Sequence, residues 1–253
     1  MNDVKATALK AWGELIGDKD PSAVDRWVSP DYIQHSPTAG PGREPLRQLI
    51  AGIPDGFHHE THRVLADGDL VALHGTYHGA GPTPLVAFDV FRYDTDGQAA
   101  EHWDALAPQA ATTVSGRTQT DGPTEITDLD RTEANRALVT AFVETVLVGD
   151  DPTTVADYVS ADTFHQHSPE IADGLDGLTA AVAQWKSEGR TARYLKLHLV
   201  VAEGNFVLTQ SEVDFGGPAA CYDLFRVADG KIVEHWDVVM PVPDRLPHDN
   251  GLF

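Results

Sequence analysis

The sequence predicts an α+β protein in which one fold is built twice in tandem, on two observations. Blocks of the first half recur in the second, in the same order. Within each copy, helical periodicity comes first and strand-like runs separated by turn signals come after it. The repeated blocks are YIQHSP and FHQHSP, then VLADGD and VVAEGN, then DVFRY and DLFRV, and finally EHWD at Glu101 and again at Glu234. The spacing drifts only slightly, from 132 between Gln34 and Gln166 to 136 between Gly68 and Gly204. Agreement over so many ordered blocks points to tandem duplication. The expected division is a first domain over 1–110, a Thr-, Gly- and Asp-rich linker over 111–130 without apolar periodicity, and a second domain over 131–253.

Each element follows from local pattern. Val4, Leu9, Trp12, Leu15 and Ile16 keep near-helical spacing and predict a helix from Asp3 to about Ile16. After GDKDP a short second helix runs from Ser22, a candidate cap, to Val28. A third helix spans Arg43 to Ile53. The matching helices of the second copy are 133–148, 153–159 and Gly174 to Ser187. From about Thr61 and Arg193 onward, apolar β-branched runs alternate with DGD, GAGP and DTDG, or EGN, FGGP and ADGK, as strands and turns do. HHETH, at His58 to His62, reads as a solvated loop entering the first of these strands.

Bulk composition excludes several function classes. With 253 residues and 42% hydrophobic residues the chain can build packed cores. A net charge of −21 leaves no clustered lysine and arginine for phosphate, which argues against nucleic acid and anionic membrane surfaces. One cysteine, Cys221, allows neither an internal disulfide nor a thiolate metal cluster. No signal-peptide core and no apolar run of about 20 residues is present, so the expected location is the cytoplasm. No glycine-rich turn opens a helix as in a phosphate cradle, so no nucleotide cofactor is expected.

The QHSP segments, the VLADGDLVALH turn and DVFRY…DG…EHWD resemble the SnoaL-like branch of the NTF2-like superfamily, over nearly all of both copies. The resemblance implies two cones, each with three N-terminal helices packed on a strongly curved antiparallel sheet around an apolar pocket. Such folds commonly dimerise through the outer sheet face, so the tandem chain is expected to form an intramolecular pseudo-dimer, with further homo-oligomerisation open. The fold hosts cyclases, dehydratases, isomerases, epoxide hydrolases and pure binders.

Strand alternation sorts the candidate site residues. Asp89, Phe91 and Tyr93 share one face of their strand, while His102 and Asp104 lie on the face opposite Glu101 and Trp103. Arg92 and Glu101 read as a cross-strand ion pair, as do Arg226 and Glu234. Ketosteroid isomerases are similar in the DVFR-type strand, and there the matching aspartate points inward. The resemblance thus implies Asp89, His102 and Asp104 in the first pocket and Asp223, His235 and Asp237 in the second. Within the family a late-strand acidic group serves as acid/base, and Asp104 and Asp237 match it. His35 and His167 are expected at the pocket mouth, with Ser36 and Ser168 as turn residues. Trp103 and Trp236 read as structural, packed under a partner sheet. His74 is expected to complete the first cluster; Gln210 stands in its place in the second copy, which also carries His165 for Ile33. If one pocket works alone, the first is favoured, because it keeps His74.

The expected reaction is cofactor-independent: a carboxylate or imidazole abstracts a proton beside the carbonyl of a small apolar substrate, and Asp89, His35 or His74 binds the enolate oxygen. Polyketide-type cyclisation, isomerisation or dehydration can follow. The rivals are a non-catalytic binding or scaffold module, and epoxide hydrolysis by the same carboxylates. A metal at His35, His74, His102 and Asp104 is the sharper alternative, but the branch works without metal and no HxH or HExxH spacing appears, so none is expected.

Overall fold

Two strands that carry EHWD in their middle belong to two separate sheets. The computed structural model describes residues 3–190 and 192–253. They form two compact units, Met1–Pro108 with Pro243–Phe253, and Gln109–Val242.

In the first unit Asp3 caps α1 (Val4–Trp12) by accepting from Ala6 N at 3.1 Å. The chain then widens into a turn over Gly13–Gly17, where Asp18 N reaches back five residues to Gly13 O. Asp20, with Pro21 behind it, caps the turn leading to α2 (Val24–Trp27), accepting from Ser22 N at 2.9 Å. The expected cap Ser22 is therefore the donor, since an Asp-Pro pair offers both the acceptor and the preset φ. β1 (Val28–Gln34), α3 (Arg43–Ala51), β2 (His58–Asp67), β3 (Leu70–His78), β4 (Leu85–Tyr93) and β5 (Ala99–Pro108) follow. HHETH belongs to strand β2 from His58 onward rather than to a loop.

The second unit repeats this order: α4 (Thr132–Phe142) and a wide turn Val143–Val148, α5 (Val155–Tyr158), β6 (His165–Gln166), α6 (Gly174–Ser187), then β7 (Arg193–Glu203), β8 (Phe206–Asp214), β9 (Pro218–Ala228) and β10 (Lys231–Pro241). Asp229 and Gly230, both at positive φ, make the two-residue turn that joins β9 to β10. Among the described residues no helix is long and apolar enough to cross a membrane.

Each sheet has five strands, ordered β1-β5-β4-β3-β2 and β6-β10-β9-β8-β7. Four strands are antiparallel, but the edge strand runs parallel to β5 or β10. One face of each sheet carries the helices. Val71, Leu73 and Phe91 pack there with Ala8, Leu15, Val24 and Ile50; Val207, Phe225 and Ile232 pack with Val139, Phe142 and Val143. A bulge precedes EHWD in both copies. Arg92 pairs with Glu101 but Tyr93 with Ala99, and Arg226 pairs with Glu234 but Val227 with Ile232. The extra residue shifts the alternation by one, so Ala99 and Ile232 face the core and so do His102 and His235. The bulge thus aims the histidine inward and the preceding glutamate outward.

The units depart from the expected division at two points. The stretch expected as a linker is packed within the second unit: Asn205 N donates to Thr127 O and Thr127 N to Asn205 Oδ1, both at 2.9 Å. Any side chain at Gly204 would collide with that segment, since its Cβ would lie 2.0 Å from Thr127 O. Conversely, Pro243–Phe253 belongs to the first unit.

Candidate functional site

In the first unit β4 and β5 are paired with Asp89 opposite Asp104 and Phe91 opposite His102, on the helix-facing side. Their polar atoms converge at the end of an apolar cavity of about 360 Å³, lined among others by Trp12, Trp27, Leu46, Ile50 and Phe91. No lysine or arginine stands among its described lining residues.

The hydrogen bonds fix the chemistry of this end. Gln34 Oε1 accepts from Ser36 N at 2.9 Å, so its orientation is determined, and it must also accept from His102 Nδ1 at 2.9 Å. His102 Nε2 then faces Asp89 Oδ1 at 3.2 Å. An imidazole with acceptors at both nitrogens requires a proton between Nε2 and Asp89, whichever of the two owns it. Asp89 is held further by the Tyr77 hydroxyl, 3.0 Å from each of its oxygens. Gln34 Nε2 donates to the Tyr32 hydroxyl at 3.1 Å, which leaves that hydroxyl's own proton for the cavity. Burial raises both tyrosines well above the usual phenol range, with Asp104 and Asp89 adding to it, so both remain donors.

Asp104, only 7% exposed, flanks this network. Its Oδ1 has no hydrogen-bond partner among the described residues. Burial pushes its carboxyl up to about 6; the Asp89 charge adds to the rise, while His102 and a hydrogen bond from Ser36 oppose it. A carboxylate that titrates near neutrality beside a fixed proton donor is suited to general acid/base work.

The second unit builds the same core. His235 Nδ1 contacts Gln166 Oε1 at 2.9 Å and Nε2 contacts Asp223 Oδ1 at 3.0 Å. Burial alone pushes His235 down, but the Asp223 hydrogen bond and charge, with Asp237, outweigh it and raise its pKa. Asp237 is raised, chiefly by burial. Asp223 receives its tyrosine from another strand: Tyr194 of β7 donates at 3.1 Å, whereas Tyr77 belongs to β3. Cys221 Sγ lies 3.4 Å from Asp223 where the first copy has Ala87, and burial pushes its thiol well up. Phe164 occupies the position of Tyr32, so the second cluster lacks that hydroxyl.

Three expected site residues are elsewhere. His35 and His167 lie on the opposite sheet face, because Gln34 and Ser36 take the inward positions of β1 and its extension, and the residue between them must point out. His35 Nε2 sits 2.8 Å from Glu101 and the ring stacks on Trp103 at 5.0 Å; Glu101 also pairs with Arg92. His167 Nε2 sits 2.9 Å from Glu234 and the ring stacks on Trp236 at 4.5 Å; Glu234 also accepts from Arg226 Nε at 2.7 Å. His74 alternates with the inward Leu73, stacks on Phe88 at 4.4 Å and bonds Arg63 Nη1 at 3.1 Å. His165, bonded by Arg117 at 2.7 Å, also faces outward. The expectation that His35, His74 and His167 join the inward clusters is therefore corrected, and so is a metal set that includes His35 and His74; His165 and His167 line a separate pocket with Arg117, Asp121, Arg226 and Glu234.

Among the described residues, a cation could geometrically be held only by the inward trios. The donor atoms of Asp89, His102 and Asp104 lie within 4.8 Å of one another, as do those of Asp223, His235 and Asp237. The His102–Asp89 and His235–Asp223 contacts are of hydrogen-bond length, so a shared proton accounts for them. The residues missed by the sequence reading are Gln34, Ser36, Tyr32 and Tyr77 with their partners Gln166, Ser168 and Tyr194. The signal was present for the first two: in QHSP, alternation puts glutamine and serine on one face. Replacing Tyr77 with phenylalanine removes both bonds to the buried Asp89 carboxylate and is expected to cost roughly 1.5–3 kcal/mol, read as a lower urea midpoint with an unchanged slope.

The model of the SnoaL-like domain family matches residues 9–102 and again 139–235. No curated protein gives a significant match. Similar solved structures include a steroid delta-isomerase from Pseudomonas aeruginosa, 27% identical, over 46% of this chain and 85% of that one, with a TM-score of 0.36. A SnoaL-like protein of unknown function from Burkholderia thailandensis is 20% identical over 42% and 98%, at 0.36. An LEH-like epoxide hydrolase of M. tuberculosis is 20% identical over 41% and 82%, at 0.35. The duplicated EHWD strands, the inward His–Asp pairs and the two family matches agree: this chain belongs to the SnoaL-like domain family and contains two copies of that NTF2-like fold.

Proposed function

We propose that the first unit is a cofactor-independent acid/base catalyst acting on a small, uncharged, largely apolar carbonyl compound. The observation that carries this is Asp104: a buried carboxylate with one free oxygen, titrating near neutrality, at the polar end of an apolar cavity. Asp104 takes a proton from the carbon beside the carbonyl. The Tyr32 hydroxyl, whose proton is left for the cavity, stands ready for the enolate oxygen, oriented before charge develops there. A cavity without lysine or arginine disfavours anionic substrates, whose charge would meet two carboxylates uncompensated. Ring closure, double-bond migration or loss of water from that enolate are the outcomes such a site supports. The second copy keeps the histidine and both aspartates but lacks the Tyr32 hydroxyl, so the principal site is the first, for that reason rather than for His74.

Incubation of wild type, Asp104→Asn and Asp237→Asn with metabolite extract from the source cell, followed by mass spectrometry, tests the proposal. A compound converted by wild type and Asp237→Asn but not by Asp104→Asn is the expected result, and its mass change identifies the reaction class. A gain of one water would instead point to hydrolysis of a strained ring by the same carboxylates. Co-elution of an unchanged compound with all three proteins would overturn the catalytic reading in favour of a binding module.

A further inference from the structure

β1 is an edge strand: β5 satisfies one side of it, and its other side would leave carbonyls unpaired. From β5, the contact closest to the site is His35 N donating to His102 O at 2.9 Å. On the other side stands the segment His248–Gly251. Asn250 Nδ2 donates to Gln34 O at 2.9 Å, His248 Nε2 to Ser36 O at 3.0 Å, and Gly251 O accepts from His35 Nδ1 at 2.9 Å. Three successive residues are thus gripped, and the outer two carry the side chains that orient His102 and Asp104. The second unit does the same with unrelated residues: Ser115 Oγ donates to Gln166 O at 2.6 Å, Val114 N to Pro169 O at 3.1 Å, and Thr118 O accepts from His167 Nδ1 at 2.7 Å. The segments VSGRT and HDNG share no sequence pattern, yet each holds the glutamine carbonyl and the Nδ1 of the histidine after it; the third contact falls on Ser36 in the first copy and on Pro169 in the second.

We propose that His248 and Asn250 are positioning residues for the first copy's acid/base pair, acting through the backbone of Gln34 and Ser36. This rests on the reading of His102 and Asp104 as the reacting groups. With His248–Gly251 in place, Gln34 Oε1 accepts from Ser36 N and His102 Nδ1, which keeps the imidazole protonated at Nδ1, and Ser36 reaches Asp104. Without it, the carbonyls of Gln34 and Ser36 must find water, the strand end loosens, and both side chains lose their fixed origin.

The test is nitrogen NMR of His102 and carboxyl-carbon NMR of Asp104 in the full chain, comparing wild type, His248→Ala/Asn250→Ala and the milder Asn250→Asp. Asp89, Tyr32, Tyr77, His102 and Ser36 all face Asp104 and are unchanged in these variants. The expected result is an Nδ1 protonated throughout in wild type and only partly protonated in the variants. The Asp104 midpoint should move upward as the Ser36 bond is lost, and His248→Gln/Asn250→Gln, which keeps an N–H donor at both places, should restore both signatures. Folded variants with an unmoved Nδ1 protonation and midpoint would overturn the proposal. These signals do not depend on turnover: if conversion assays fail while the Nδ1 protonation shifts, the clamp stands and the catalytic reading falls.

Discussion

Replacing Asp104 with asparagine is expected to abolish turnover and at the same time make the protein more stable at pH 8. The loss of a general base costs about 10²–10⁴ in rate. The gain in stability follows from the raised carboxyl: its folded pKa of about 6 lies above the ordinary 3.8, so the folded state binds this proton more tightly than the unfolded chain does. The folded state is therefore not penalised below about pH 4, loses stability as the pH rises toward 6, and carries the whole penalty above it. A shift of that size corresponds to roughly 2–3 kcal/mol. Urea denaturation of wild type and Asp104→Asn at pH 4, 6 and 8 should give curves that coincide at the acid end and separate in favour of the variant above pH 6. A variant less stable at every pH would mean that the carboxylate is held by partners that Oδ1 lacks here. Stability surrendered at a reacting group is the expected mark of a site kept for function.

The opposite result is expected on the far side of the second sheet. Glu234 is 2% exposed and receives His167 Nε2 and Arg226 Nε. Burial by itself would raise its pKa, but these two hydrogen bonds and their charges outweigh it, and the carboxyl is lowered. Glu234→Ala strands a guanidinium and an imidazole in a covered place, and costs about 3–5 kcal/mol. Because the folded pKa is depressed, the glutamate's contribution is present above its unfolded value of 4.5 and fades as the pH falls through the folded one. Thermal unfolding should show a large gap between wild type and variant at pH 7 that narrows in acid. A gap that does not change with pH would mean that Glu234 acts by packing rather than by charge.

These two carboxylates also show what the sequence could and could not reveal. EHWD was legible: period two separated Glu101 from His102 and Asp104 correctly, and the ion pair with Arg92 followed. The same rule applied to QHSP would have found Gln34 and Ser36. The histidine drew attention because imidazoles are reactive, yet reactivity does not decide which way a side chain points. Tyr77 and Tyr194 could not be matched by repeat comparison, since they serve equivalent aspartates from β3 and β7. In pairing, Tyr194 occupies the place of His59, opposite Val213 where the first copy has Tyr77. The parallel edge strand was also out of reach, because a local pattern names a strand but not its partner. The segments 109–128 and 243–253 have no periodicity to read, and their order comes from carbonyls and ring nitrogens on other strands.

The placement of Pro243–Phe253 in the first unit has a consequence for the order in which the protein is made. The contacts of His248, Asn250 and Gly251 with residues 34–36 cannot exist until the codons that follow the second copy are translated. At 5–20 residues per second, the first copy's strands are complete on the order of ten seconds before the segment that closes its edge emerges. A chain truncated anywhere in the second copy therefore carries every residue of the first Asp-His-Asp cluster and lacks the piece that fixes it. Residues made after the whole second copy complete the first domain.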